Sequence, residues 1–169
     1  LTPIPERQRE QGAAAITLED IRWKWCHVKA VALLPNVLLR QRALDAGGDE
    51  AILIRDGEVT EGAASNVCVV HGGVVATPPK GPFLLPGITR DLILELATAH
   101  GIPCEEVAIF EAELREADEV WLTSSTKEIL PVTRLDDRPV GTGRPGPLWT
   151  HMYRLYQDYK QAVRTGTEE

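Results

Sequence analysis

Four short stretches hold the residue types that chemistry needs. In "CHVKAVALLPNVLLRQRALDAGG", residues 26–48, Lys29 sits among Val28, Ala30, Val31, Leu33, Leu34, Val37 and Leu38, a run that reads as core. Burial disfavours an ammonium, so either the Lys29 head reaches solvent along an apolar stem or a neutral amine is wanted there. A neutral lysine is a nucleophile for carbonyls. The second stretch is "TEGAASN", residues 60–66, where Glu61 ends a strand beside Gly62 and small residues that would let another surface come close. Its plainer reading is a solvated loop carboxylate.

The third stretch is "LLPGITRD", residues 84–91, in which Gly87, Ile88 and Thr89 stand where a helix begins. Unpaired N–H groups at such an end favour a phosphate, although Thr89 acting as an ordinary N-cap would also explain the pattern. The fourth, "WLTSSTKE", residues 121–128, sets Thr123, Ser124, Ser125 and Thr126 where their hydroxyls could meet an anion. Ser125 with Glu128 three residues on also fits a capping box.

The elements around these stretches are expected as follows. "AAAITLEDIRW" is a strand, and residues 36–46 suit a helix stopped by Gly47 and Gly48. Asp56-Gly57 and Gly72-Gly73, each between apolar segments, mark two successive hairpins and hence an antiparallel sheet. A helix runs from about Thr89 to His100 with Gly101 as its stop, and "FEAELREAD" is a short acidic helix. "EVWLTSS" reads as a buried strand, and "ILPVTRLDDRPV" as a strand pair turning at Asp136-Asp137. A final helix, residues 147–163, spaces Trp149, Met152, Tyr153 and Tyr156 along one side. Strand clusters mixed with separate helices make an α+β plan, within one domain of 169 residues.

Composition narrows the partners. With 25 acidic and 18 basic residues the formal charge is −7, which argues against a broad nucleic-acid or anionic-membrane surface. No apolar run approaches the roughly 18 residues of a membrane-spanning helix. Cys26, Cys68 and Cys104 are an odd number at no metal-ligand spacing, so neither a disulfide framework nor a metal site is expected, and a reducing, cytoplasmic setting fits. The Pro- and charge-rich start, "LTPIPERQREQG", reads as a connector inside a longer protein.

Taken in order, the lysine, the Glu-Gly-x-x-Ser-Asn stretch, Leu-x-Gly-Ile-Thr-Arg and Thr-Ser-Ser-Thr resemble the class IV, or fold-type IV, aminotransferases, and within them the D-amino-acid enzymes. The resemblance covers nearly the whole chain. It implies pyridoxal 5′-phosphate as cofactor, an antiparallel-rich sheet or pseudo-barrel with surrounding helices, and a homodimer acting on amino acids and 2-oxo acids. It places Lys29 at the family's Schiff-base lysine and Glu61 at the carboxylate facing the pyridine nitrogen. Leu85 falls where an apolar side chain supports a face of the ring. Gly87, Ile88 and Thr89 fall at the phosphate cup, joined by Ser124 and Ser125. The apolar neighbours of Lys29 would then favour its neutral amine.

Two departures accompany the likeness. The smaller N-terminal domain of the family, which supplies a phosphate-binding arginine and much of the substrate carboxylate pocket, has no counterpart here. Residues 1–15 are accordingly expected as an interdomain connector and residues 16–169 as the cofactor-binding large domain, a fragment with weak cofactor affinity and little activity alone. At Ala63 and Ala64 some relatives have serines. Branched-chain aminotransferase and aminodeoxychorismate lyase share the lysine and glutamate and stay open as alternatives, as does a non-catalytic domain of the same fold.

Overall fold

Asp-Gly and Gly-Gly turns with positive φ set the first strand pairings. Asp56 and Gly57 take φ of 53° and 85°, and Gly72 and Gly73 take 54° and 84°. Such turns match the right-handed twist of the strands that they join. In the computed structural model, which describes residues 5–166, they link β2 (Glu50–Arg55) to β3 (Glu58–Gly62) and β4 (Asn66–His71) to β5 (Val74–Thr77). Both pairs are antiparallel.

The remaining elements are α1 (Glu6–Gln11), β1 (Ala13–Glu19), α2 (Leu34–Asp45), α3 (Ile88–Ala99), β6 (Cys104–Glu106), α4 (Glu111–Arg115), β7 (Glu119–Ser124), β8 (Glu128–Leu135), β9 (Arg138–Pro139) and α5 (Pro147–Thr165). Strand order is β3-β2-β1-β8-β7-β4-β5-β6, with β9 paired to β8. The sheet is mixed, since β1 runs parallel to both β2 and β8, and β5 runs parallel to β6. Antiparallel pairings still outnumber parallel ones, as the hairpin signals predict, and the parallel ones carry no turn motif because long crossovers join such neighbours.

The segment after β6 joins the two ends of the sheet. Val107 N–H donates to Thr77 O at 3.0 Å, while Val59 N–H donates to Ile109 O at 2.8 Å. One face therefore turns inward as a pseudo-barrel and the other carries helices. Alternation along the strands separates these layers. Val67, Val69, Val120, Leu122, Leu130 and Val132 fill the interior. Cys68, Val70, Trp121 and Ile129 face outward against Ile93, Leu96 and Ala97 of α3 and Trp149, Met152 and Tyr156 of α5. A third layer packs Leu39 and Ala43 of α2 on Ala51 and Leu53. Burial on both faces explains why "VCVV" and "VWL" are unbroken apolar runs.

Residues 1–4 of the expected connector lie outside the described residues. The rest of it is ordered as α1 and the start of β1, whose Ala13 and Ala15 are in the core. The α5 helix starts on a buried anion: Glu119 accepts from Leu148 N (2.9 Å), Trp149 N (2.8 Å) and the Trp121 indole (3.0 Å). Free N–H groups at that end favour such a carboxylate.

Asp136 ties three elements together. It accepts from Thr17 N at 2.8 Å, Thr17 Oγ1 at 2.9 Å and Arg115 Nη1 at 2.7 Å. Although burial works the other way, the bonds from Thr17 and Arg115 hold its carboxyl below the usual 3.8. Its stabilising contribution is therefore complete above pH 3.8 and lost as pH falls through the lower folded-state value. Asn tolerates the φ of 52° at this position. Asp136→Asn should cost about 1 kcal/mol at pH 7, part of it screened at this half-exposed site. Urea midpoints should show the difference from wild type shrinking below pH 3.8; a difference that grows with acid would contradict the assignment.

Candidate active site

Antiparallel register brings the ends of β4 and β7 level, with Asn66 opposite Thr123. Around that end of the sheet lies a cavity of about 440 Å³, within the roughly 300–1,000 Å³ usual for small-molecule pockets. Every residue singled out from the sequence lines it: Lys29, Glu61, Leu85, Gly87, Ile88, Thr89, Ser124 and Ser125. Five segments supply the wall. They are the loop between β1 and α2, the first turns of α2, the end of β3 with its turn, the start of α3, and the turn after β7.

Lys29 differs most from expectation. It lies in the irregular loop before α2, exposed, on the cavity wall. Its neighbours are not core, since Val28, Val31, Leu33, Leu34, Val37 and Leu38 are all exposed and only Leu39 and Ala43 of α2 are buried. Val28, Leu33 and Val37 line the cavity with Trp23, and Trp25, Val31, Leu34 and Leu38 are exposed as well. Lys29 is thus not buried by its own neighbours within this chain. No described residue forms an ion pair with Lys29, which leaves Nζ unengaged at the wall.

Glu61 is 6% exposed and held on every side. One oxygen pairs with Arg22, and the other accepts from Leu85 N at 3.0 Å and Asn66 Nδ2 at 3.3 Å. Burial pushes its carboxyl above the usual range, with the Arg22 charge and the Leu85 N–H opposing. Arg22 is itself buried, in a forked contact with Asp20 through Nε and Nη2, both at 2.9 Å, and donates to Phe83 O at 3.0 Å. Burial opposes its charge, but Asp20 and Glu61 outweigh that and hold Arg22 above its ordinary value. Arg55 adds a second cation to Asp20 at 3.2 Å.

Arg22, Asp20 and Asn66 were not found as functional positions from the sequence. Asn66 was within the Glu-Gly-x-x-Ser-Asn motif. Arg22 carried little signal, because a charge just after a strand normally points to water.

The α3 start opens onto the cavity. Gly87 is its N-cap with no side-chain bond, and Thr89 stands inside the first turn, so Thr89 is not the cap. The first N–H groups of a helix have no partner within it. A Cβ on Gly87 would fall 2.2 Å from Asn66 Oδ1, so glycine permits this approach. Ser125 and Glu128 form no capping box either: residues 125–127 turn β7 into β8, with Ser124 Oγ accepting from Lys127 N at 3.1 Å. Two buried hydroxyls on the cavity wall, Ser65 Oγ and Thr123 Oγ1, have no hydrogen-bond partner. Buried polar groups without partners are costly, and these await a polar ligand.

The site therefore combines one unengaged amine, one buried carboxylate, an open helix N-terminus and spare hydroxyls. Among the described residues no group of three or more His, Cys, Asp or Glu is placed to hold a metal. No helix among them is long and apolar enough to cross a membrane.

Comparison with known proteins places the chain in a family. The family model for amino-transferase class IV matches residues 1–135. D-alanine aminotransferase of Bacillus licheniformis is 45% identical over 154 residues, 91% of this chain and 54% of that protein. A fold IV-transaminase of Curtobacterium pusillum superposes with TM-score 0.79 at 29% identity, over 90% of this chain and 54% of its own. The branched-chain aminotransferase of the thermophilic archaeon Thermoproteus uzoniensis, with norvaline, gives 0.78 at 30% identity, over 94% and 53%. The chain thus spans about half the length of the proteins that it matches. On family model, identity and fold together, the chain belongs to the class IV aminotransferases.

Proposed function

We propose that this chain is the cofactor-binding part of a pyridoxal-phosphate-dependent aminotransferase that moves an amino group from a D-amino acid such as D-alanine to a 2-oxo acid such as 2-oxoglutarate. One observation carries the reading: Lys29, Glu61, the α3 N-terminus and the Ser124–Ser125 turn line a single cavity. The residues present fit the cofactor, because the orphaned Ser65 and Thr123 hydroxyls and the open α3 start offer donors to an anionic, polar ligand.

Pyridoxal phosphate supplies an aldehyde for amines and a ring that accepts electrons. The residues of this chain provide the rest. Lys29 would hold the cofactor through Nζ and would serve as the base that takes the substrate α-proton and returns it. Glu61 would keep a proton on the ring nitrogen, and Arg22, Leu85 N–H and Asn66 hold its carboxylate in place. Leu85 would support a face of the ring, and Gly87, Ile88, Thr89, Ser124 and Ser125 would hold the phosphate. The donor leaves as a 2-oxo acid and the acceptor as an amino acid, so electrons balance without an outside oxidant.

The exposed apolar side chains of Trp23, Trp25, Val28, Val31, Leu33 and Leu34 support a homodimer and a covering domain that would shield Lys29 from water. The connector expected over residues 1–15 then ends before β1, so that the cofactor-binding domain begins at Ala13, whose side chain is already in the core. Three unpaired cysteines fit a reducing compartment such as the cytoplasm.

A branched-chain L-amino acid is the competing donor, favoured by the Thermoproteus uzoniensis neighbour. The complete gene product, assayed with D-alanine, L-alanine and L-leucine against 2-oxoglutarate, should turn over D-alanine and leave the L-substrates unchanged. Turnover of L-leucine alone would move the assignment to the branched-chain enzymes.

A further inference from the structure

The turn after β7 is anchored more heavily than a hairpin tip needs. Ser124 Oγ accepts from Lys127 N at 3.1 Å and lies 3.3 Å from Thr126 Oγ1, which shapes the tip itself. Beyond the tip, two consecutive side chains leave in different directions. Lys127 runs to β2 and pairs with Glu50, whose side chain is fully buried. Arg40 Nη2 is the other cation near Glu50, at 3.7 Å, and outside these two neither carboxylate oxygen has a hydrogen-bond donor. Glu128 instead reaches α5, accepting from Gln157 Nε2 at 2.8 Å and pairing with Lys160.

What separates these two side chains is the backbone. Glu128 takes φ of 55°, a left-handed conformation that a residue with a Cβ avoids unless its surroundings over-determine it. A solvated hairpin tip would place glycine or asparagine there. Glu50 needs explaining too, because a wholly buried carboxylate costs free energy unless a cation is set against it. Burial, then the Arg40 charge, lowers the Lys127 ammonium to about 8 with Asp49 opposing. Both features centre on the few residues that turn Ser124 and Ser125 toward the cavity.

We propose that the Glu50–Lys127 and Glu128–Lys160 pairs form a two-sided clamp that fixes the Ser124–Thr126 turn as one edge of the phosphate site, with Lys127 and Glu128 as positioning residues. This rests on the reading of the cavity as a pyridoxal-phosphate site. Neither residue lines the cavity. The clamp acts on the phosphate end alone, so its loss should separate a phosphorylated ligand from the same ligand without phosphate.

The test uses the complete gene product and absorbance titration with pyridoxal phosphate and with pyridoxal. Lys127→Met should weaken pyridoxal phosphate about tenfold, the scale of one or two lost hydrogen bonds to a charged ligand, and leave pyridoxal within about twofold. Glu50→Gln/Lys127→Met leaves no unpaired charge buried, so it keeps the test usable if the single variant fails to fold, and the same selective loss is expected. Equal losses for both ligands, or unchanged affinity in a folded variant, would overturn the clamp while the cofactor reading stands. Wild-type protein that binds neither ligand would overturn the cofactor reading and the clamp with it.

Discussion

Lys29→Ala in the complete gene product should lower transaminase turnover by on the order of 10³-fold or more, the scale on which loss of a covalent catalyst acts. It should also remove the absorbance of lysine-linked pyridoxal phosphate while leaving the fold intact. The structure supports the second half, because Lys29 lies in an exposed loop and makes no ion pair among the described residues. Its removal opens no core cavity and strands no buried charge. Thermal unfolding of the variant without cofactor should therefore match wild type, and a large loss of stability would assign Lys29 a structural role instead.

Glu61→Gln should lower turnover by roughly 10²-fold, comparable to removing one preorganised electrostatic contact from an active site. Glutamine keeps the size of the side chain, and its carbonyl can still accept one of the bonds from Arg22, Leu85 N–H or Asn66. What it lacks is the negative charge that, in the proposed function, would hold a proton on the ring nitrogen. Arg22 keeps its forked partner Asp20, so the buried guanidinium is not left alone. Steady-state kinetics should show the loss in kcat, with pyridoxal-phosphate affinity changed far less. A variant with wild-type kcat would remove Glu61 from the mechanism.

Legibility in the sequence followed the range of the interaction behind each feature. Asp56-Gly57 and Gly72-Gly73 announced their hairpins because a two-residue turn writes its φ requirement into its own residues. Helices α3 and α5 showed themselves through spacing, with Leu96 and Ala97 or Trp149, Met152 and Tyr156 on the packed face. The parallel contacts of β1 with β2 and β8 had no local signature. Every expected site residue does line the cavity, since ordered motifs survive even when their surroundings are misread.

The surroundings of Lys29 show how such misreading arises. Hydrophobic residues from Val28 to Leu38 looked like core, but most of them form an outward face. Burial inside one chain and burial in an assembly leave the same composition. Arg22 failed in the opposite sense, as a charge expected in water that the fold buries between Asp20 and Glu61.

The central claim is that Lys29 is the residue to which the cofactor attaches. Borohydride reduction of the complete gene product loaded with pyridoxal phosphate, followed by peptide mass mapping, tests it directly. A phosphopyridoxyl group on Lys29 alone is the predicted result; a group on another lysine, or none in a folded protein, would contradict the account.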